Sequence, residues 1–349
     1  MDKDKNYYPG ADVIRILSGF GVVLIHVIDP FLVYPPYLGM KGFSWEILNI
    51  VNYAFRFSVP LFVMLSGYLL LRPEKYTNLQ AFYKRRFLKV GVPFLLWLVV
   101  YFVLLYLKGL PVNPLKIAEF ILTVNLDYLY FIVVILELYF LTPVFLVFLK
   151  NTHQKSHSVL AISIIFYTIF LTLISFFVHG AKIDTSINLF TIFLPFTAYY
   201  LAGLAFAKVE TKGFTNFILA FLFTVYTLFG AFVSNGVNNS YVRSSGSINV
   251  MIMTFIVFSL LINNEKIRII FANNRLTYML KSFSANIFGV YLVHIPMIFL
   301  FDTFTSLKIE IISSPMWLYA FIKVAAVFLA SLFIVSLTKK TPLGKYVFG

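Results

Sequence analysis

The chain has 349 residues, 60% of them hydrophobic and only 12% charged, with a mean hydropathy of +0.88. Soluble domains are nearer half apolar and a quarter charged, so a soluble globular protein is excluded and an all-α, polytopic membrane helix bundle is expected. Cysteine is absent, which excludes disulfides, thiolate nucleophiles and Cys-ligated metals, while the formal net charge of +14 raises the question of a nucleic-acid partner.

A helix needs roughly 20 apolar residues to cross hydrocarbon. The first such run, about 12–33, is too long for a signal-peptide core and no cleavage site follows it, so it is kept in the mature chain. It carries Asp12, Arg15, His26 and Asp29. Arg15 and His26 are eleven residues apart, three helical turns plus about 20°, so Asp12, Arg15, Gly19 and His26 line one stripe. His26 lies about 16 Å further along the axis than Arg15, and Gly19 between them lets a second helix or a ligand come close. The second span, about 47–71, contains Arg56, Pro60, and a small-residue patch at Ser66 and Gly67 with Tyr68 beside it.

The basic stretch "AFYKRRFLKVGVPF" (81–94) leads into the third span, about 90–107. "PLKIAEFILTV" (114–124) is apolar but too short to cross and is read as an interfacial helix. Glu137 sits mid-span in the fourth run, about 128–149. Further spans are expected at about 158–178, 189–207, 214–234 and 250–262. The ninth, about 284–301, holds His294 in an otherwise apolar segment, and the tenth, about 317–337, holds Lys323.

Putting the N-terminus in the cytoplasm gives 19 Lys and Arg in inside segments and 6 in outside ones, alternating loop by loop. That pattern supports ten helices with both termini cytoplasmic, and it accounts for the net charge as topology without any nucleic acid. No loop exceeds about twenty residues and no internal repeat stands out, so residues 1–349 are read as one membrane domain.

Ionisable groups within spans are functional candidates, because inserting each costs about 2.5–3.5 kcal/mol. Asp12 and Arg15, near a helix end, also suit an interfacial anchor, and a lone buried histidine is often a hydrogen-bonded structural residue. His26, His294, Glu137 and Arg15 together at membrane depth need one another or water, which points to a common internal chamber. Histidine beside a carboxylate is apparatus for taking a proton from a hydroxyl. The cluster Arg85, Arg86 and Lys89 reads either as a topology determinant or as a seat for a polyanionic ligand. Ser66 and Gly67 are equally ordinary helix-packing residues.

Taken together the chain resembles the acyltransferase 3 family of bacterial membrane acyltransferases. The likeness rests on Arg-x10-His in the first helix (Arg15, His26) with Asp12 before it, "VPLFVMLSGYLL" (59–70), "YKRRFLKVGVPF" (83–94), "LYFIVVILELYFLTPVF" (129–145) and "GVYLVHIPMI" (289–298), in that order over about residues 10–337. One departure is Lys89, where many members carry the second arginine of an Arg-x-x-Arg pair. The resemblance implies a stand-alone O-acyltransferase without an SGNH domain, in a bacterial plasma membrane. It would move an acyl group, usually acetyl, from cytoplasmic acyl-CoA to a hydroxyl of a cell-surface carbohydrate or lipid-linked sugar, alongside glycan-assembly proteins. No tightly bound cofactor and no metal are implied. Joined with the residue reading, it makes His26 the general base or a transient acyl carrier and assigns Glu137 or His294 to orient it. Arg15 then serves the donor or the developing oxyanion, and Asp12, Arg15, Ser66, Tyr68, Arg85, Arg86 and Lys89 form the donor site. A polysaccharide exporter or flippase is the alternative, since it too needs polar groups along a path through the membrane. His179 and Asp184 in "HGAKID", the sequon "NNS" (238–240) and the His153/His157 pair are patterns without companions, and none is given a role.

Overall fold

The computed structural model describes residues 7–33, 42–72, 78–107, 113–122, 127–151, 192–206, 211–236, 240–305 and 315–349, with Gly109 and Ile162 besides. Among these residues every regular element is helical. Seven stretches are long and apolar enough to cross a membrane: Pro9–Leu32, Phe43–Leu70, Leu79–Leu107, Tyr130–Asn151, Phe214–Ser234, Asn274–Phe304 and Met316–Thr338. They correspond to the first four expected spans and to the seventh, ninth and tenth. The sixth and eighth appear as shorter helices, Leu194–Ala205 and Ile248–Ile262. The expected span at 158–178, apart from Ile162, lies outside the described residues, as do His153, His157, His179, Asp184 and the sequon's two asparagines.

The central element is α1 (Pro9–Val33), which packs against α2 (Phe43–Ala54), α3 (Ser58–Leu70), α11 (Ile248–Ile262), α13 (Asn274–Thr305) and α14 (Met316–Thr338). Its 25 residues give a rod about 37 Å long, enough to cross the hydrocarbon and project beyond it. Two apolar clusters divide along this rod. Ala11, Ile14 and Val22 join the larger one, built with α3, α7 (Tyr130–Asn151), α8 (Leu194–Ala205) and α11. From Val23 to Leu32 the rod packs instead against Trp45 and Leu48 of α2 and Ala320, Val324 and Val327 of α14. The change-over falls between Val22 and Val23, one turn before His26.

Pro60 interrupts the second span more sharply than a loosened helix. Without an N–H it cannot donate to the Arg56 carbonyl four residues back, and the chain breaks at Phe55–Phe57 between α2 and α3. Ser58 Oγ donates to the Phe55 carbonyl at 2.6 Å within this break. The basic stretch, similar in sequence to a loop, is helical. Asn78 caps α4 (Leu79–Arg86) by accepting from the Ala81 amide at 3.0 Å, and the Gln, Lys and Arg residues that follow are strong helix formers. A π-helical turn (Phe87–Gly91) then joins α4 to α5 (Val92–Leu107), taking up the irregularity that Pro93 introduces. The expected interfacial segment is the nine-residue α6 (Pro114–Leu122).

The remaining elements are α9 (Phe214–Gly236), α10 (Ser240–Arg243), α12 (Glu265–Ile270) and a terminal turn, α15 (Gly344–Phe348). That last turn folds back on α5: Trp97 Nε1 donates to the Val347 carbonyl at 3.0 Å, and Phe348 is buried. Long apolar side chains of α5 and α9, Leu95, Val99, Val103, Phe217, Phe221 and Phe232 among them, point outward, as suits helices whose solvent is hydrocarbon.

Without a hydrophobic force between helices in lipid, close packing holds a bundle together. Here α3 and α8 meet backbone to backbone. A Cβ on Gly67 would lie 1.7 Å from the Tyr200 carbonyl oxygen, and one on Gly203 2.0 Å from that of Met64. Gly67 is thus a packing residue, and the neighbour it meets is main chain that cannot step aside. Gly67→Ala and Gly203→Ala are each expected to destabilise the detergent-solubilised protein by about 1–3 kcal/mol. A thermal unfolding scan should record this as a lowered Tm, and an unchanged Tm would refute the contact.

Candidate functional site

At the basic end of the bundle, the stripe read from the first helix finds its partners on α13. Arg15 Nη1 donates to Asp12 Oδ1 at 2.6 Å and to Ser284 Oγ at 2.5 Å, and Ser284 Oγ in turn donates to Asp12 Oδ1 at 2.6 Å. Tyr7 OH closes the cluster on Asp12 Oδ2 at 2.9 Å. Burial, with that bond to Asp12, holds the Tyr7 phenol well above its ordinary range, so it remains a donor. One turn deeper, Gly19 meets the Ile287 side chain: a Cβ there would come within 2.3 Å of it. The close approach foreseen for Gly19 is made by a helix.

Above this cluster opens a cavity of about 640 Å³, within the usual range of small-molecule sites. Its cationic lining is Arg15, Arg86, Lys89 and Lys339; the wall is apolar, with Phe62, Leu65, Leu69, Ile132, Ile135 and Phe288. Ser66 also lines it and donates to the Phe62 carbonyl at 3.0 Å. The π-helical turn bears Lys89 and follows directly on Arg86, and it brings both to one cavity. Arg15 is neutralised by Asp12, but Arg86 stands over the rings of Phe82 and Tyr139, and its Nε has no hydrogen-bond partner among the described residues. Lys339 donates to the Ala285 carbonyl at 2.8 Å, and burial beside Lys89 pushes its ammonium below the ordinary lysine range. A surplus of positive charge with an orphaned guanidinium N–H is the electrostatics of a polyanion site.

At its deep end the cavity stops at Phe62, Phe131 and Tyr291. These rings touch in sequence, Phe62–Phe131 at 5.6 Å and Phe131–Tyr291 at 5.5 Å between centroids, and the Tyr291 hydroxyl is tied to the Tyr128 carbonyl. Behind Tyr291, one turn along α13, is His294. It is wholly buried, and its ring lies 5.2 Å from that of His26, tilted by 44°, with the Tyr128 ring edge-on at 5.5 Å. The two imidazoles singled out from distant parts of the chain are therefore neighbours, within direct or one-water reach of each other. His294 Nδ1 bonds the Tyr291 carbonyl at 2.5 Å. A carbonyl only accepts, so Nδ1 carries the proton and Nε2 presents a lone pair, which has no partner among the described residues.

The expected single chamber is divided in this conformation: neither imidazole lines the cavity, because Tyr291 fills the gap. His26 is partly exposed, and it does not line the cavity. One turn further along α1, Asp29 pairs with Arg56 at 2.5 Å, and Asn52 bridges the two. Lys323, also named from the sequence, is buried and pairs with Asp302.

Three sequence-named residues lie elsewhere. Glu137 points about 200° around α7 from the cavity-lining Ile135 and Tyr139. Its carboxylate takes a hydrogen bond from the Phe193 backbone at the start of α8. Tyr68 is core, packed against Tyr8 and Phe258 beneath the Arg72 guanidinium. Arg85 is exposed and donates to its own helix at the Ala81 carbonyl. Conversely Ser284, Lys339 and Tyr291 were not anticipated, since a serine, a post-helix lysine and a tyrosine among 22 tyrosines carry no local mark. Among the described residues no three His, Asp or Glu side chains converge as metal ligands.

No curated protein and no solved structure matches the chain. The family model described as an acyltransferase domain, acyltransferase 3, matches residues 8–336, nearly the whole sequence and including Arg15, His26 and His294. The paired histidines behind a cationic cavity thus belong to a multi-pass membrane acyltransferase, and the chain is a member of the acyltransferase 3 family.

Proposed function

We propose that this acyltransferase takes its acyl group, acetyl in the simplest case, from acyl-CoA entering the cavity at a cytoplasmic basic end. The group goes to a hydroxyl of a carbohydrate or lipid-linked sugar reached from the other side of a bacterial plasma membrane. The observation that carries this reading is the cavity itself: a cationic mouth with an apolar wall, ending one helical turn from a histidine pair. Arg86, Lys89 and Lys339 suit the phosphates of CoA, and the apolar wall suits its acyl arm. Glycan-assembly proteins would supply the acceptor, and acyl-CoA acts as a substrate, with no resident cofactor invoked.

In the transfer the acceptor oxygen attacks the thioester carbonyl carbon as its proton passes to His26. The new C–O bond forms, the C–S bond breaks, and the CoA thiolate leaves and is reprotonated. His294 supports this step: with Nδ1 held by the Tyr291 carbonyl, its Nε2 lone pair can orient an N–H of His26 or take the proton onward. The geometry favours His294 over Glu137 for that role. It also favours the donor over the oxyanion as the group Arg15 serves, because Arg15 lies about 16 Å along α1 from His26. Tyr291 stands between thioester and histidines, so transfer requires its ring to give way, a gating step of the kind that excludes water until both substrates are bound.

His26→Ala is expected to reach the membrane and bind acetyl-CoA normally while losing acceptor acylation by at least about 100-fold. Labelled acetyl-CoA and mass spectrometry of surface glycans provide the measurement, and full activity in this variant would refute the assignment. Arg86→Gln should raise KM for acetyl-CoA about tenfold with kcat little changed, one charge-assisted contact being lost from binding alone; an unaltered KM would remove Arg86 from the donor site. Because Lys339 titrates below an ordinary lysine, its charge disappears earlier as pH rises. Acetyl-CoA affinity should accordingly weaken on the alkaline side, and Lys339→Arg, which keeps its charge, should flatten that limb. A profile that is flat in the parent protein would contradict it.

A further inference from the structure

We propose that the end of the bundle opposite the cavity is an acceptor site for an anionic oxygen group, a carboxylate or a phosphate, seated at Arg56 and Arg243 beside His26. The proposal rests on the acyl-transfer reading and deepens it by naming the charge class of the acceptor.

The site is built on one stripe of α2, Asn49, Asn52 and Tyr53 at i, i+3 and i+4, with Arg56 in the turn that follows the helix. Buried Asn52 donates to Asp29 Oδ1 at 3.1 Å and accepts from Arg56 Nη2 at 2.5 Å and Nε at 3.0 Å. One turn earlier, buried Asn49 donates to the Ala231 carbonyl at 2.9 Å and accepts from Arg243 Nη2 at 2.6 Å. Tyr53 OH donates to the Val242 carbonyl at 3.1 Å, pinning the segment that carries Arg243. Each asparagine is committed at both ends of its amide, so two guanidiniums are held side by side in fixed orientations.

The charges do not balance. Among the described residues only Asp29 is an anion in contact with this pair, and the asparagines are neutral. Burial and the neighbouring Arg56 charge bring Arg243 down to about 10, with Asp29 offsetting this only in part. A guanidinium pays heavily for losing water unless an anion faces it, and its fork matches the paired oxygens of carboxylate or phosphate. The Arg56 and Asp29 side chains are 15% and 31% exposed, so a ligand can reach them. Asp29 follows His26 by one turn, about 4.5 Å along the axis, which is a few bond lengths on a sugar ring. An anion on the arginines therefore holds a nearby hydroxyl against the partly exposed imidazole.

Titration calorimetry on the detergent-solubilised full chain tests this with methyl β-glucuronoside, glucose 1-phosphate and the neutral methyl β-glucoside. The cationic cavity also attracts anions, so each titration is repeated with saturating CoA and with Arg86→Gln. We expect at least one anionic sugar to bind about tenfold more tightly than the neutral one. That preference should survive both CoA and Arg86→Gln, fall about tenfold in Arg243→Gln, and partly return in Arg243→Lys. Which anion prefers the site separates a uronate acceptor from a phosphorylated one. Equal affinity for charged and neutral sugars, no binding of either anion, or a preference lost in Arg86→Gln but kept in Arg243→Gln would each overturn the proposal. Failure of the parent protein to bind CoA at all would instead sink the acyl-transfer reading.

Discussion

A charged group in hydrocarbon must find its counterpart within the protein, and α1 carries several: Asp12 and Arg15 near one end, His26 in the middle, Asp29 beyond. Each forces a neighbouring helix to bring something polar to a set depth. α13 supplies Ser284 to the Arg15–Asp12 pair and His294 to His26, and the broken second span supplies Arg56 and Asn52 to Asp29. The register of α1 against α13, fixed by Gly19 lying against Ile287, is therefore also the register of the site. Packing and chemistry are one constraint here, because a shift by one turn would strand charges in an apolar core.

The same rod separates two environments. At the basic end, surplus positive charge surrounds a cavity walled by apolar side chains; at the other, a narrower polar cluster of asparagines and arginines adjoins His26. Between them the aromatic layer Phe62–Phe131–Tyr291 keeps the cavity from the imidazoles. For a transfer between two substrates arriving from opposite sides, such a layer is a reasonable device. In the proposed transfer it would keep water from a thioester until an acceptor is in place, and the reaction would depend on one ring whose hydroxyl is tethered to the Tyr128 carbonyl.

Some of this was legible from residue order. A histidine in an apolar run signals itself, because nothing else in the run explains it, and both His26 and His294 were found this way. The Arg86–Lys89 pair was equally visible as charge density, although its helical and π-helical conformation was not, since a basic stretch next to a proline is locally compatible with a loop. Glu137 shows where such reading fails. Depth along a span can be counted in residues, but the direction a side chain faces depends on which helices neighbour it, and Glu137 turns to the start of α8. Tyr68 stands beside a cavity-lining serine in sequence and faces the core, because adjacent helix positions diverge by about 100°.

By itself the sequence determined that the chain lives in a membrane, roughly where its helices run, and which ionisable groups it can least easily hide, because composition and hydropathy are local properties that lipid reads directly. Only the tertiary structure decided which of those groups meet. It paired His26 with His294, turned Glu137 aside, recruited Lys339 and Ser284, and set Tyr291 between cavity and imidazoles. Those outcomes follow from helix rotation and close backbone contacts such as Gly67 on Tyr200, which join residues far apart in the chain and leave no signature at either one alone.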